Sequence, residues 1–299
     1  MQSTKSLDCG AATSEAVASM KEKGYYVFHN VLNDDEIKRL REASRQLFKT
    51  KGRTIQGGGR KQANAAVEVP AIQWLYYHPQ ILACFRQALG TESIMFTSHA
   101  DVQKDVLGGW HKDDGTDPAD PNNLGYFSKF AYDVDDCHVY KMGVYLQDHE
   151  HDVCGLSVRE GSHHVKSHAE GQPFYTATPA GSVVLFDVRI THSGQFKTQL
   201  QRRLIQISDY LPKRYFDATF AKTRTAYRAA LGRERVAIFF TFGLPNDHTV
   251  QFAISNMRRQ VKLTPGTSPK LPANLRKAFE DNHVLLAEDH FPSFDNARS

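Results

Sequence analysis

Two histidines and one aspartate have the types and spacing that could bind a metal ion. His111 and Asp113 lie in the run Trp110-His111-Lys112-Asp113, and His192 follows far downstream. Side chains at i and i+2 project from the same face of a strand, so His111 and Asp113 can hold one ion together. His192 must come from another strand, which residues 183–190 could supply. Two neutral imidazoles and a carboxylate form the facial ligand set of non-haem Fe(II) oxygenases, which leaves three octahedral positions for a 2-oxo acid and dioxygen.

A second His-x-Asp pair leaves the choice of ligands open. His99 and Asp101 share one face of a predicted strand with Gln103, and their distance from His192 along the chain is also compatible with a triad. We favour the downstream pair because it follows Gly108-Gly109 at a strand-to-loop junction, where a metal is accessible. His99 and Asp101 would then line the same cavity, and Gln103 is a candidate cosubstrate-binding residue.

The elements that must position these residues are mainly strands. Short runs rich in Val, Ile, Phe and Tyr alternate with turn-forming clusters between about residues 93 and 212, without helical periodicity between them. This spacing predicts a sandwich or barrel. A polar loop at 113–125 follows the first metal motif, and loops of that length are often functional lids. The predicted strands are 94–103, 138–146, 155–158, 182–187 and 203–210.

Helices are predicted on both sides of this β region. A short helix at 13–22 leads to a strand at 25–28, and Asn33 with Glu36 has the spacing of a capping box that begins the next helix. The glycine-rich, basic stretch 50–66 predicts a flexible loop. Beyond residue 212, a basic helix at 213–235 and a strand at 236–242 are predicted.

Length and composition are those of an ordinary globular protein. The chain has 299 residues, 40% hydrophobic and 23% charged, and the net charge of +4 is too small to indicate a nucleic-acid or membrane partner. We predict a single domain over 1–299, with a core at about 20–212 and an extension at 213–299. The four cysteines show no paired spacing, and no secretory signal is visible, so a cytoplasmic protein is expected.

Several ordered motifs together resemble the phytanoyl-CoA dioxygenase family of Fe(II)- and 2-oxoglutarate-dependent oxygenases. Each motif is short, but they follow one another in the family's order across roughly residues 20–212. The matching segments are Gly24–Phe28 with Val31-Leu32, Trp110–Asp113, Val144–Asp148, Gly155–Val158, Gly161–His163, and Gly181–Asp187 leading to His192.

The resemblance implies a double-stranded β-helix (jelly-roll, cupin-like) core with flanking helices, and iron bound by His111, Asp113 and His192. It implies that 2-oxoglutarate and O2 are consumed, that succinate and CO2 are released, and that a C–H bond of a small molecule is oxidised, with hydroxylation as the expected outcome. Anionic compounds and natural products are candidate substrates. The alternative is a jelly-roll metal-binding protein or isomerase without oxygen chemistry.

The resemblance also implies an arginine for the far carboxylate of 2-oxoglutarate, a short distance after the distal histidine. That position corresponds to Arg203, with Arg202 as the alternative if the preceding loop is one residue shorter. The two residues would point to opposite faces of a strand, so only one can serve. A guanidinium suits the role because it donates two parallel hydrogen bonds to a carboxylate.

Overall fold

Strands dominate the computed structural model, which describes residues 9–54, 59–106, 109–117, 119–120, 122–127, 131–132, 134–149, 155–194 and 235–294. Six α-helices are described: α1 Cys9–Glu22, α2 Asp34–Thr50, α3 Ala65–Glu68, α4 Pro79–Leu89, α5 Asp247–Leu263 and α6 Ala273–Asp281. The strands are β1 Tyr25–Phe28, β2 Arg53–Thr54, β3 Arg60–Gln62, β4 Met95–Lys104, β5 Val139–Tyr145, β6 Leu156–Glu160, β7 Gln172–Thr176, β8 Val183–Asp187, β9 His192–Gly194, β10 Val236–Gly243 and β11 Leu285–Leu286.

These strands form two sheets. The main sheet has the order β1-β8-β5-β10-β4-β3-β2, antiparallel throughout, and β11 adds to β4 in parallel. The smaller sheet has the order β7-β6-β9. The result is an antiparallel β-sandwich with flanking helices, and the predicted mainly-β fold class is confirmed.

The central strands β8, β5 and β10 of the main sheet are buried on both faces, and their side chains alternate between the two. In β5, Tyr140 and Met142 face the helices and belong to the larger apolar core. Tyr145 of β5 and Phe239 of β10 face the other way, into a second apolar cluster with residues of the smaller sheet. The space between the two sheets is therefore the interior in which a site can lie.

Several of the predicted strands and helices are present in the structure at the predicted positions. The strand at 25–28 is β1, and the helix after Asn33 is α2, with both hydrogen bonds of the capping box present. The predicted strands 94–103, 138–146, 155–158 and 182–187 correspond to β4, β5, β6 and β8. No described helix is long and apolar enough to cross a bilayer.

Two predictions on organisation need correction. The stretch 50–66 is not simply a loop, because it contains β2 and β3, and β3 pairs with β4. The β core does not end near residue 212, because β10 lies in the middle of the main sheet between β5 and β4. The predicted strand 203–210 and nearly all of the predicted helix 213–235 lie outside the described residues.

Candidate metal centre

His111, Asp113 and His192 converge at one end of the sandwich. One possible ligand atom from each lies within 4.8 Å of those of the other two. Backbone pairing explains this, since the His111 N–H donates to the His192 carbonyl (3.0 Å) and the His192 N–H donates to the His111 carbonyl (2.8 Å). The backbone N–H of Asp113 donates to Val188 O at 2.9 Å. The structure thus brings together the three residues that the sequence favoured.

Both imidazoles are oriented through their Nδ1 atoms. His111 Nδ1 lies 2.7 Å from Gly109 O, and His192 Nδ1 lies 3.0 Å from Ile190 O. A carbonyl can only accept, so Nδ1 carries a proton and Nε2 is the nitrogen available to a metal ion. Metal-binding histidines are commonly fixed in this way.

Asp113 is held as a carboxylate. Its Oδ2 lies 2.7 Å from Lys141 Nζ and 3.2 Å from His192 Nε2. Burial alone would raise the pKa of Asp113, but the ammonium of Lys141 holds it well below its ordinary value. Burial and the neighbouring His192 lower the pKa of His111 to about 4, so this ring is neutral near pH 7. The charge states are those that a divalent cation requires.

The triad opens into a cavity of about 360 Å3, within the size range of small-molecule sites. Its wall includes Lys61 of β3, Lys141 of β5, Arg235 just before β10, and Arg259 of α5. Gln103 of β4 also lines it, which keeps this residue available as a cosubstrate contact.

The rival pair His99 and Asp101 lies elsewhere in the interior. His99 Nδ1 lies 2.7 Å from Thr241 Oγ1, and Asp101 Oδ2 forms an ion pair of 2.6 Å with Lys61. Gln260 Nε2 donates to the other oxygen of Asp101 at 3.3 Å. Both side chains are buried and engaged in this network, and neither is among the described residues that line the metal cavity.

The two predicted cosubstrate arginines, Arg203 and Arg202, lie outside the described residues. The structure shows a different arginine at the cavity, Arg235, which sequence reasoning missed. Its position directly before the predicted strand 236–242 could have indicated it. That strand was predicted to belong to an extension outside the β core, so Arg235 was not considered. Because β10 is central in the main sheet, Arg235 reaches the interior.

The loop after Asp113 is held beside the site by hydrogen bonds to Asp114 and by close packing of Gly125 against the Asp114 backbone. The Tyr126 N–H donates to Asp114 O at 2.7 Å, and both Thr116 N–H and its hydroxyl donate to Asp114 Oδ1. Gly125 has a φ of 62°, and a Cβ there would lie 2.3 Å from Asp114 O. Only glycine fits this position.

Gly125→Ala is therefore expected to loosen the loop and weaken metal binding without unfolding the protein. Strain at such a position costs about 1–3 kcal/mol, equivalent to roughly 5- to 150-fold in an affinity that depends on the loop. Fe(II) titration alongside circular dichroism would measure this, with Gly266→Ala as the control. Gly266 also has a positive φ, but a Cβ there meets nothing within 4 Å. Equal Fe(II) affinity in both variants would contradict the prediction.

No family model matches this sequence, and no curated protein matches it. Solved structures do match in fold. The epimerase SnoN, in complex with Fe3+, alpha ketoglutarate and nogalamycin RO, shares 16% identity at a TM-score of 0.53, over 78% of this chain and 84% of that chain. HygX from Streptomyces hygroscopicus, with nickel and 2-oxoglutarate bound, shares 14% at 0.52, over 77% and 87%. AviO1 from Streptomyces viridochromogenes Tue57 shares 16% at 0.51, over 82% and 98%. At such identities the similarity establishes the fold, and the predicted jelly-roll core is confirmed.

Proposed function

We propose that the protein is an Fe(II)- and 2-oxoglutarate-dependent oxygenase that hydroxylates a C–H bond of a small molecule. The observation that carries this proposal is the convergence of His111, Asp113 and His192 beside a cavity, with each imidazole held through Nδ1 so that its Nε2 is the atom near Asp113. The fold matches support it, because the solved structures include proteins with iron or nickel and 2-oxoglutarate bound. Membership of the phytanoyl-CoA dioxygenase family stays a prediction.

The donor set fits Fe(II). Two imidazole nitrogens and one carboxylate oxygen are the ligands of the facial triad, whereas a structural zinc site takes four protein ligands. Among the described residues, this is the one group of three or more such ligands close enough to hold an ion. Bound there, iron would supply the activation of dioxygen, with electrons from the oxidative decarboxylation of 2-oxoglutarate.

The surrounding residues prepare the site. The ammonium of Lys141 orients the Asp113 carboxylate and lies 5.0 Å from the centre of the Phe239 ring. Leu156 and Phe239 give the cavity an apolar wall that limits the access of water. These contacts keep the ligand set charged and ordered before any substrate arrives.

For the far carboxylate of 2-oxoglutarate we propose Arg235. Arg235 directly precedes β10, which is the next described strand after β9, although it lies much further from His192 than the family spacing implies. Arg235 is only 4% exposed, lies over the ring of Tyr145 at 5.2 Å, and lines the cavity. Gln103 pairs in register with Ala237, two residues along β10, so we propose it as a neighbouring contact. Arg203 and Arg202 remain the alternatives from the sequence.

Cys84 and Cys137 are buried and free. Buried thiols without disulfide partners are typical of reducing compartments. This supports the proposal of a cytoplasmic enzyme.

A spectroscopic titration tests the proposed function. Adding Fe(II) and 2-oxoglutarate without oxygen is expected to produce a visible charge-transfer band that neither component produces alone. Admitting O2 with a substrate is expected to release succinate and to give a product heavier by one oxygen atom, detected by mass spectrometry. A protein that shows no band, and releases no succinate with any candidate substrate, would instead be a metal-binding protein or isomerase.

A further inference from the structure

Helix α5 supplies one wall of the metal cavity. It packs against β4 and places Phe252 against the Tyr126 ring at 5.8 Å, so the helix and the loop after the metal motif contact each other. Two turns further along α5, Arg259 lines the cavity together with Tyr126 and Asp113. An arginine therefore reaches the site from an element that carries none of the metal ligands.

Arg259 lacks a partner within the described part of the chain. Its Nε is buried without a hydrogen bond, and no described residue forms a hydrogen bond or ion pair with its guanidinium. Two of the three lysines that line the cavity differ from it in this respect, since Lys141 pairs with Asp113 at 2.7 Å and Lys61 pairs with Asp101 at 2.6 Å. A buried guanidinium nitrogen without an acceptor is costly. A ligand anion would remove that cost.

Charge balance points the same way. Three lysines line the cavity: Lys141 and Lys61 pair with carboxylates, and Lys112 donates to the backbone carbonyls of Ser162 and Arg189. The two positive charges of Fe(II) would be matched by the two negative charges of 2-oxoglutarate. Arg259, which has no ion-pair partner among the described residues, then adds positive charge to this wall, which favours a negatively charged substrate.

Tyr126 adds a neutral hydrogen-bond donor on the same wall. Burial raises the pKa of Tyr126 above its ordinary value, so its hydroxyl stays protonated near pH 7. The pKa of Arg259 is raised as well, because Asp101, Tyr126 and Asp113 outweigh the effect of burial, so it stays charged. A guanidinium with a phenol beside the same cavity is a suitable donor set for an oxyanion.

We propose that Arg259, assisted by Tyr126, binds an acidic group of the substrate, a carboxylate or a phosphate, so that the enzyme acts on an anionic small molecule. This inference rests on the proposed oxygenase function. Arg235 holds the cosubstrate and Arg259 holds the substrate, and both line the cavity that contains the metal ligands.

Binding of simple oxyanions tests the proposal. Inorganic phosphate and acetate are titrated separately, at constant ionic strength, into the anaerobic protein saturated with Fe(II) and 2-oxoglutarate, with calorimetric detection. Arg259→Gln is expected to weaken the tighter of the two anions about tenfold or more, as for a charge-assisted contact. Arg258→Gln is the matched control, because Arg258 is the exposed neighbour on the same helix. The stronger of the two anions identifies the acidic group.

Three results would overturn the proposal. They are an equal anion affinity in Arg259→Gln and the wild type, no binding of either anion by the wild type, or a loss of 2-oxoglutarate affinity in Arg259→Gln as large as the loss of anion affinity. The last would make Arg259 the cosubstrate anchor. Thermal unfolding of each variant checks that it is folded.

The same titration without iron and 2-oxoglutarate separates this proposal from the proposed function. If the wild type shows no charge-transfer band with Fe(II) and 2-oxoglutarate, the proposed oxygenase function is refuted. Arg259-dependent anion binding in that protein would still establish the anion site.

Discussion

Asp113→Ala is expected to abolish the Fe(II)–2-oxoglutarate charge-transfer band and all succinate release. Asp113 is the one anionic member of the triad, and its Oδ2 is also the acceptor for Lys141 Nζ. The variant would leave two neutral imidazoles beside an unpaired ammonium, which repels a cation. Loss of an outer partner of a metal ligand already costs about 10–100-fold, so loss of the ligand should exceed this. Equilibrium Fe(II) titration and a succinate assay measure the effect.

Two further variants make the result specific. His164→Gln removes an exposed histidine outside the triad and is expected to behave like the wild type. Asp101→Asn tests the rival His-x-Asp pair with little change in shape. A band that survives in Asp113→Ala but disappears in Asp101→Asn would show that the rival pair binds the metal.

Arg235→Gln is expected to raise the KM for 2-oxoglutarate by roughly 10- to 100-fold, because a charge-assisted contact contributes about 1.5–3 kcal/mol. The variant keeps hydrogen-bonding capacity but loses the charge and the fork of parallel donors. Arg235→Lys should recover only part of the affinity, since an ammonium cannot donate in the same bidentate geometry. The charge-transfer band, followed against 2-oxoglutarate concentration, reports this binding separately from turnover.

The arginines predicted from the sequence provide the comparison. Arg203→Gln and Arg202→Gln are expected to leave the affinity for 2-oxoglutarate within about twofold of the wild type, as for positions that do not touch the ligand. If Arg203→Gln greatly raises the KM for 2-oxoglutarate while Arg235→Gln leaves it unchanged, Arg203 is the cosubstrate arginine, as the sequence predicted.

Local rules were enough for much of the fold and for the grouping of the ligands. The i, i+2 spacing was enough to group His111 with Asp113, although His111 forms an isolated β-bridge with His192 and Asp113 lies in the bend after it. The turn context explains why this pair was preferred to His99 and Asp101. The capping box at Asn33 is a contact within a few residues, so its sequence signature is sufficient to locate α2. Such features depend on neighbours in the chain.

The features that sequence reasoning missed depend on distant partners. The strand β3 is short and polar, and it is a strand because it pairs with β4, which no local pattern within 50–66 encodes. Arg235 was overlooked because a long segment separates it from His192, although β9 and β10 belong to the two sheets that enclose the site. Arg259 shows no pattern at all in the sequence, since its role follows from where α5 packs.

The central position of β10 has a consequence for how the chain folds. Val236–Gly243 lies between β5 and β4, so these two strands cannot both complete their pairing until residues far along the chain have been synthesised. Until then a nascent chain exposes two apolar strand edges, the kind of surface that promotes aggregation and recruits chaperones. Pairing over such sequence separations is also slow, because the closure of large loops must precede it. The strand that directly follows the proposed cosubstrate arginine is thus also the one that closes the sheet, and the protein completes this wall of the cavity and its folded core in the same late step.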